Sequence, residues 1–297
     1  MNERLILLIL TNLAVLAMLS LTFFLLGIDV YFHDAHGLNL VALLIFASVS
    51  GFFGSFVSLL FSRQIALWST GARVIERPGD DTERWLLDAV ARLARQAGLE
   101  MPQVAIFEGE ANAFATGPSR NRALVAVSTG LLAGMEREEV VAVLAHEVAH
   151  IENGDMLTLT LIQGTVNTFV FFVARLAASA VDAALRRGSR GMSSSGFLYS
   201  SVRWICEVMF GLLASMLVAW FSRRREFRAD AGAARLMGSP RAMIAALQRL
   251  GSLRAAALPR SFAAAGIHAP EAWLRLFASH PPREARIRAL ETGEWGD

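Results

Sequence analysis

Two long runs without a formal charge open the chain. Residues 5–28 give 24 such positions and residues 38–62 give 25. A helix needs about 20 predominantly apolar residues to cross a bilayer core, so each run predicts a membrane span. The first is too long for a typical signal-peptide core and lacks a small-x-small cleavage site, so it reads as an anchor. The joint at 29–37 has no arginine, whereas Arg4 precedes the pair and Arg63, Arg73 and Arg77 follow it. The cytoplasmic bias of basic residues puts both ends of this hairpin in the cytoplasm. Ala47, Gly51 and Ser55 recur at i, i+4 and i+8, a small-residue ridge on which another helix can pack closely.

Two later runs are less clean. Residues 157–174 are uncharged but include Gln163 and Asn167, and residues 204–221 are apolar apart from Glu207. Reading both as spans gives about four hydrophobic helices, with the polar residues facing protein or a water-filled cavity. Their connection carries Arg186, Arg187 and Arg190, then Ser193, Ser194 and Ser195. Those arginines then lie on the far side, against the usual bias.

The remaining pattern is that of a soluble domain. Residues 80–97 read as an amphipathic helix capped by Asp81 or Thr82, with Trp85, Leu86, Leu93 and Ala97 at helical spacing and Gly98 as its stop. Residues 103–107 and 123–128 read as short strands, with a loop at 108–122 between them. Residues 136–153 form a helix that opens with acidic residues, as its macrodipole favours. A helix at 223–237 ends at Gly238. Ser239 caps the next one, with Pro240 in its first turn, and Pro281 and Pro282 open a last helix to about residue 290. The expected fold is mainly α with a small β-sheet. Its parts are an N-terminal hairpin (1–62), a first cytosolic part (63–155), a second hairpin (156–222) and a second cytosolic part (223–297).

Composition agrees with membrane insertion. Hydrophobic residues make up 54% and charged residues only 18%, against roughly 25% charged in ordinary soluble domains. That excludes disorder and argues against a wholly soluble protein. Basic and acidic residues number 28 and 26, for a net charge of +2, and every basic residue is arginine. Such a balance gives no electrostatic footprint for nucleic acid. The one cysteine, Cys206, lies in an apolar run, so there is no disulfide framework.

Chemistry concentrates in Ala145-His146-Glu147-Val148-Ala149-His150. A helix turns about 100° per residue, so His146 and His150 point the same way, one turn apart. Two imidazole nitrogens placed so can hold one Zn²⁺. Glu147 lies beside them, placed for a general base in metal-assisted hydrolysis. A catalytic zinc needs a third protein ligand. The candidates are Glu152, Asp155, Glu207, Glu226, His268 and His280. Glu226 stands out because Asp230 follows it by one turn. A ligand carboxylate can thus be backed by a second one that accepts the other ring N–H of a ligand histidine.

His146-Glu147-x-x-His150, a hydrophobic hairpin and then Arg-Arg-Glu226-Phe-x-x-Asp230-Ala together resemble the HtpX-type membrane zinc metalloproteases. Asn112-Ala-Phe-Ala-Thr-Gly117, Val125-Ala-Val-Ser-Thr-Gly130 and Ser279-His280-Pro-Pro-Arg283-Glu-Ala-Arg286 extend the resemblance over essentially the whole chain. It implies a multi-pass protease of the bacterial inner membrane, with its zincin-type domain in the cytoplasm. Its substrates would be misfolded or damaged membrane proteins and unfolded chains, cleared under stress. It also implies one Zn²⁺ per chain on His146, His150 and Glu226, with Glu147 as base and His280 as the donor to the developing oxyanion. Arg283 and Arg286 read as anchors of the last helix to carboxylates. Residues 123–128, with Val125, Ala126 and Val127 at their centre, form a candidate edge strand for an extended substrate, and Asn112 is a candidate hydrogen-bond partner of its backbone. Two other classes share parts of this pattern: a prenyl-protein endopeptidase, which normally has more spans, and a membrane adaptor with a structural metal. The sequence leaves the oligomeric state open.

Overall fold

The computed structural model describes residues 40–188, 196–257 and 280–293. The first expected span lies outside them, as do residues 189–195 of the second hairpin's connection and His268. The described chain divides into two compact units. One takes residues 40–57, 160–188 and 196–220, and the other takes 58–159, 221–257 and 280–293.

Three described helices are long and apolar enough to cross a membrane: α1 (Leu40–Thr70), α5 (Asp155–Gly188) and α6 (Gly196–Met237). In the first unit, α1 and α5 meet at glycines. A Cβ on Gly51 would stand 2.5 Å from the Thr168 amide nitrogen and 2.8 Å from the Gly164 carbonyl oxygen, while Gly164 lies under the Phe52 ring. The small-residue ridge is therefore a packing face, with Ala47 and Ser55 also buried. The polar residues of these helices turn inward. Gln163 donates to Asn167 at 3.0 Å, and buried Arg175 on α5 reaches buried Glu207 on α6 at 3.2 Å. Arg175 also stacks over Phe46 and Phe171 at 5.5 and 5.4 Å. Pairing of this kind is what a charge inside an apolar segment requires.

The second unit is built on a four-stranded sheet. Its strands are β1 (Arg73–Val74), β2 (Gln103–Phe107), β3 (Ala113–Thr116) and β4 (Leu124–Ser128), in the order β1-β2-β4-β3. β2 and β4 are parallel, and β1 and β3 pair antiparallel at the two edges. Side chains alternate between the faces. Val104, Val125 and Val127 face the main core with α2 (Asp81–Gln96) and α4 (Arg137–Asn153). Ala105, Phe107, Leu124 and Ala126 face Ala66 and Leu67 at the end of α1. α3 (Thr129–Gly134), α7 (Arg241–Ala257) and α8 (Arg283–Thr292) complete the unit.

Four expectations change. β4 is not an edge strand: Val125, Ala126 and Val127 are fully buried and paired on both sides, so they offer no free backbone to a substrate. The edge is β3, inside the stretch read as a loop; four small or mixed residues give no period, and β4 supplies the pairing that makes them a strand. α2 is capped by Asp80, whose Oδ1 accepts from the Glu83 amide at 2.7 Å, rather than by Asp81 or Thr82. The helix expected at 223–237 is the end of α6, since nothing around Phe221 breaks the backbone where hydropathy falls.

The close approach at Gly51 sets a test. Gly51→Ala must push backbone against backbone, and overpacking of this kind costs about 1–3 kcal/mol. The expected result is a lower unfolding temperature in detergent. Val49→Leu, on the exposed face, should leave it unchanged.

Candidate metal centre

The site stands on helix α4. Its first turn is tied by the Glu139 carboxylate, which accepts from the Glu136 amide at 2.9 Å. Its last turn stops at Gly154, whose φ of 68° and ψ of 32° are left-handed and cost a glycine little. Between them the helix is buried almost throughout, including His146 and His150. Their rings meet edge to face, with centroids 4.7 Å apart.

Each ring uses its two nitrogens differently. His146 Nδ1 lies 3.0 Å from Asp230 Oδ1, and His150 Nδ1 lies 2.6 Å from Asp155 Oδ2. Both Nε2 atoms converge on Glu226, at 3.5 Å from Oε2 and 3.4 Å from Oε1 respectively. Helix α6 can bring Glu226 there because it approaches α4 closely. A Cβ on Gly232 would stand 2.6 Å from Ala149 Cβ, and Ala229 and Ala233 are fully buried.

His146, His150 and Glu226 form a group that can hold a metal ion, all three buried, with ligand atoms within 4.8 Å of one another. Tetrahedral ligands at about 2.0–2.1 Å from zinc stand roughly 3.3 Å apart, close to the 3.4 and 3.5 Å between each Nε2 and Glu226. Glu226 is fully buried, and its Oε1 has no hydrogen-bond partner among the described residues. A buried carboxylate oxygen left so is costly unless a cation meets it. The donor set therefore fits a divalent metal.

The other sequence candidates fall elsewhere. Glu152 pairs with Arg235, and Glu207 with Arg175 in the other unit. Asp155 belongs to the site, but behind a ring rather than as a third donor. Periodicity missed this because α4 ends at Gly154, and the chain there turns Asp155 back onto His150. His280 is half exposed and sets Nδ1 2.8 Å from Glu226 Oε2. Arg286, from α8, grips Asp230 through Nε at 2.7 Å and Nη2 at 2.5 Å. Asn112 is tied through its main chain: its amide donates to Ser128 Oγ and its carbonyl accepts from the Ser128 amide, both at 2.9 Å.

Fold and site together define a membrane metallopeptidase, and comparison with known proteins agrees. The model for peptidase family M48 matches residues 80–294. The chain is 58% identical over 290 residues to a protein named Protease HtpX homolog from Prosthecochloris aestuarii, covering 98% of this chain and 99% of that one. It is 55% identical over 296 residues to the protein of the same name from Bordetella pertussis, covering 99% and 100%. The chain belongs to peptidase family M48, in its HtpX-type branch. The crystal structure of S. mikatae Ste24p shares the fold with a TM-score of 0.56 at 18% identity, covering 94% of this chain and 66% of that one.

Charge around the rings sets a pH dependence. Burial disfavours the His146 imidazolium, but Asp230 and Glu226 outweigh it and push its pKa up to about 9 in the metal-free chain. His150 is opposed by burial and raised by Asp155 and Glu226 in the same way. A metal must displace these protons. Below about pH 9 its apparent affinity should fall with falling pH, up to tenfold per unit for each proton displaced. Metal-free stability runs oppositely: the raised His146 pKa stabilises the fold fully below 6.5, and that contribution is lost as pH rises through about 9. Zinc titrations between roughly pH 6 and pH 8 check this; a flat affinity contradicts it.

Proposed function

We propose that this protein is a zinc-dependent metalloendopeptidase that hydrolyses peptide bonds of misfolded or damaged membrane proteins at the cytoplasmic face of a bacterial inner membrane. The convergence of His146, His150 and Glu226, with Glu147 between the two histidines on α4, carries the reading. These three residues would hold one Zn²⁺. When bound, it supplies Lewis acidity toward the scissile carbonyl and the attacking water. Glu147 takes the proton from that water and passes it to the leaving amine. His280 has Nδ1 engaged with Glu226, which leaves Nε2 to face a substrate oxygen as negative charge develops. Asp230 and Asp155 keep the ring protons on Nδ1, so both Nε2 lone pairs stay available.

Substrate would bind along the edge strand β3 and not along β4, which is paired on both sides. The Ser128 amide donates to the Asn112 carbonyl. In the antiparallel register Ala113↔Val127 to Thr116↔Leu124, alternation then turns the backbone groups of Ala113 and Ala115 away from β4. An extended polypeptide can pair there through main chain alone, with little sequence selectivity. That suits removal of damaged proteins under stress.

Membrane topology supports the same place of action. Asp155 and Arg175 stand 20 residues apart on α5, and Arg203 and Arg223 stand 20 apart on α6. At about 1.5 Å per residue that is ~30 Å, the thickness of a hydrocarbon core. We therefore read α5 and α6 as a complete hairpin. With the N-terminal pair this makes four spans, and the cytosolic catalytic domain is split between 63–155 and 223–297. Glu226 lies five residues beyond Phe221, so the chemistry takes place just outside the bilayer, on loops and unfolded tails.

Two experiments test this reading. With casein and detergent-purified protein, Glu147→Gln should keep its zinc and lose at least a hundredfold in kcat, within the usual worth of a general base. His146→Ala should lose both zinc and activity. Normal turnover by Glu147→Gln removes the base assignment. For the substrate edge, Ala115→Pro deletes one outward N–H; kcat/KM should fall about tenfold, roughly one hydrogen bond, with zinc content unchanged. An unchanged kcat/KM would return β3 to a purely structural role.

A further inference from the structure

The two carboxylates behind the imidazoles are not held alike. Arg286 grips both oxygens of Asp230, with Nε on Oδ2 at 2.7 Å and Nη2 on Oδ1 at 2.5 Å. Asp155 has no comparable fork among the described residues. Its arginine, Arg228, stands 3.9 Å from Oδ1 on a side chain 62% exposed.

A guanidinium that meets a carboxylate through two parallel N–H groups fixes the carboxylate plane. Asp230 Oδ1 then faces a set direction, and His146 Nδ1 occupies it at 3.0 Å. Arg286 Nη2 also lies 3.4 Å from that ring nitrogen. The nitrogen can donate to the carboxylate or accept from the guanidinium, but not both. The carboxylate contact is the shorter, so Nδ1 carries a proton, which leaves Nε2 as the nitrogen that can give its lone pair to a metal. The same guanidinium places Nη1 3.6 Å from Glu226 Oε2. One largely enclosed positive charge thus stands between the two buried carboxylates of α6 and offsets their repulsion.

We propose that Arg286 is a positioning residue of the metal centre, which clamps Asp230 and through it fixes the orientation and tautomer of His146. The proposal rests on the metal reading given above. It assigns the last helix a task beyond packing: α8 completes a chain of contacts from Arg286 through Asp230 to His146. Among the described residues, the imidazole at the other position has no such clamp.

The test uses the full-length, metal-free chain in detergent, titrated with Co²⁺ and followed by its visible absorption, with Zn²⁺ by competition. Arg286→Gln should weaken metal binding 10- to 100-fold and alter the Co²⁺ spectrum, as loss of a partner behind a ligand does. Asp230→Asn should do the same. The double variant should bind no more than about twofold worse than the weaker single, because one residue acts through the other. Arg228→Gln should stay within about twofold of the unaltered chain, since an exposed contact at that distance contributes little. Should Arg286→Gln not fold, Arg286→Lys keeps the charge and stem without the fork and carries the same comparison. Unaltered affinity and spectrum in the Arg286 variant overturn the proposal. So does a loss that persists in full in the Asp230→Asn background, which would make Arg286 only a pin for α8. The two readings fail separately. A chain that binds neither ion ends the zinc assignment, whereas normal binding by the Arg286 variant ends this one alone.

Discussion

A fully buried carboxylate facing two buried imidazoles is the constraint around which the catalytic unit is arranged. Glu226 is completely enclosed, and an ionised group taken out of water costs several kcal/mol unless charge and hydrogen bonds meet it. In the metal-free chain, protonated imidazoles and His280 meet it, as the raised pKa of His146 records. A divalent ion in their place would supply more charge at the same three atoms. The site can therefore exchange protons for a metal at the same atoms, an exchange that would tie metal affinity to pH.

That arrangement dictates the packing around it. α6 must come close enough to α4 for one carboxylate to reach both rings, and Gly232 against Ala149 provides the room. The Nδ1 atoms must be fixed from behind, which requires one acid on α6, four residues after Glu226, and another just past the end of α4. Gly154 makes the second possible, because its left-handed turn brings Asp155 back onto the ring of His150. Arg286 then ties the C-terminal helix to the same centre. Four separate segments are thereby linked through side chains that would be unfavourable to bury singly.

What was legible in the sequence follows from which of these relations are local. The i, i+4 spacing of His146 and His150, and of Glu226 and Asp230, depends on helix geometry alone, so the grouping could be read before any tertiary contact was known. The apolar runs of α1, α5 and α6 were legible by length, and the Ala47-Gly51-Ser55 ridge by its period. Relations made across the chain were not. β3 is four residues with no period of its own, and only pairing with β4 makes it a strand. β4 reads from the sequence as a candidate edge strand, yet it is paired on both sides and completely buried. Helical spacing from His146 and His150 does not reach Asp155, because the helix ends at Gly154 and the chain turns there. Arg286 reads as an anchor to carboxylates, but nothing in spacing tells which of several an arginine will grip.

The continuity of α6 links membrane insertion to chemistry. Its 42 residues run without a break from an apolar stretch to Glu226 and Asp230. An α-helix fixes angular position at about 100° per residue, so the continuous helix fixes Glu226 and Asp230 relative to each other, one turn apart on one face. Insertion of a single residue between them would turn one carboxylate by roughly a quarter of a revolution away from the other. A glycine or proline at 222–225 would weaken the helix just ahead of Glu226. The chain instead places Ser222-Arg223-Arg224-Arg225, of which the arginines are strong helix formers. Polarity changes there while the helix carries through, so one helix holds both an apolar stretch long enough to cross a membrane and the two carboxylates of the candidate metal centre.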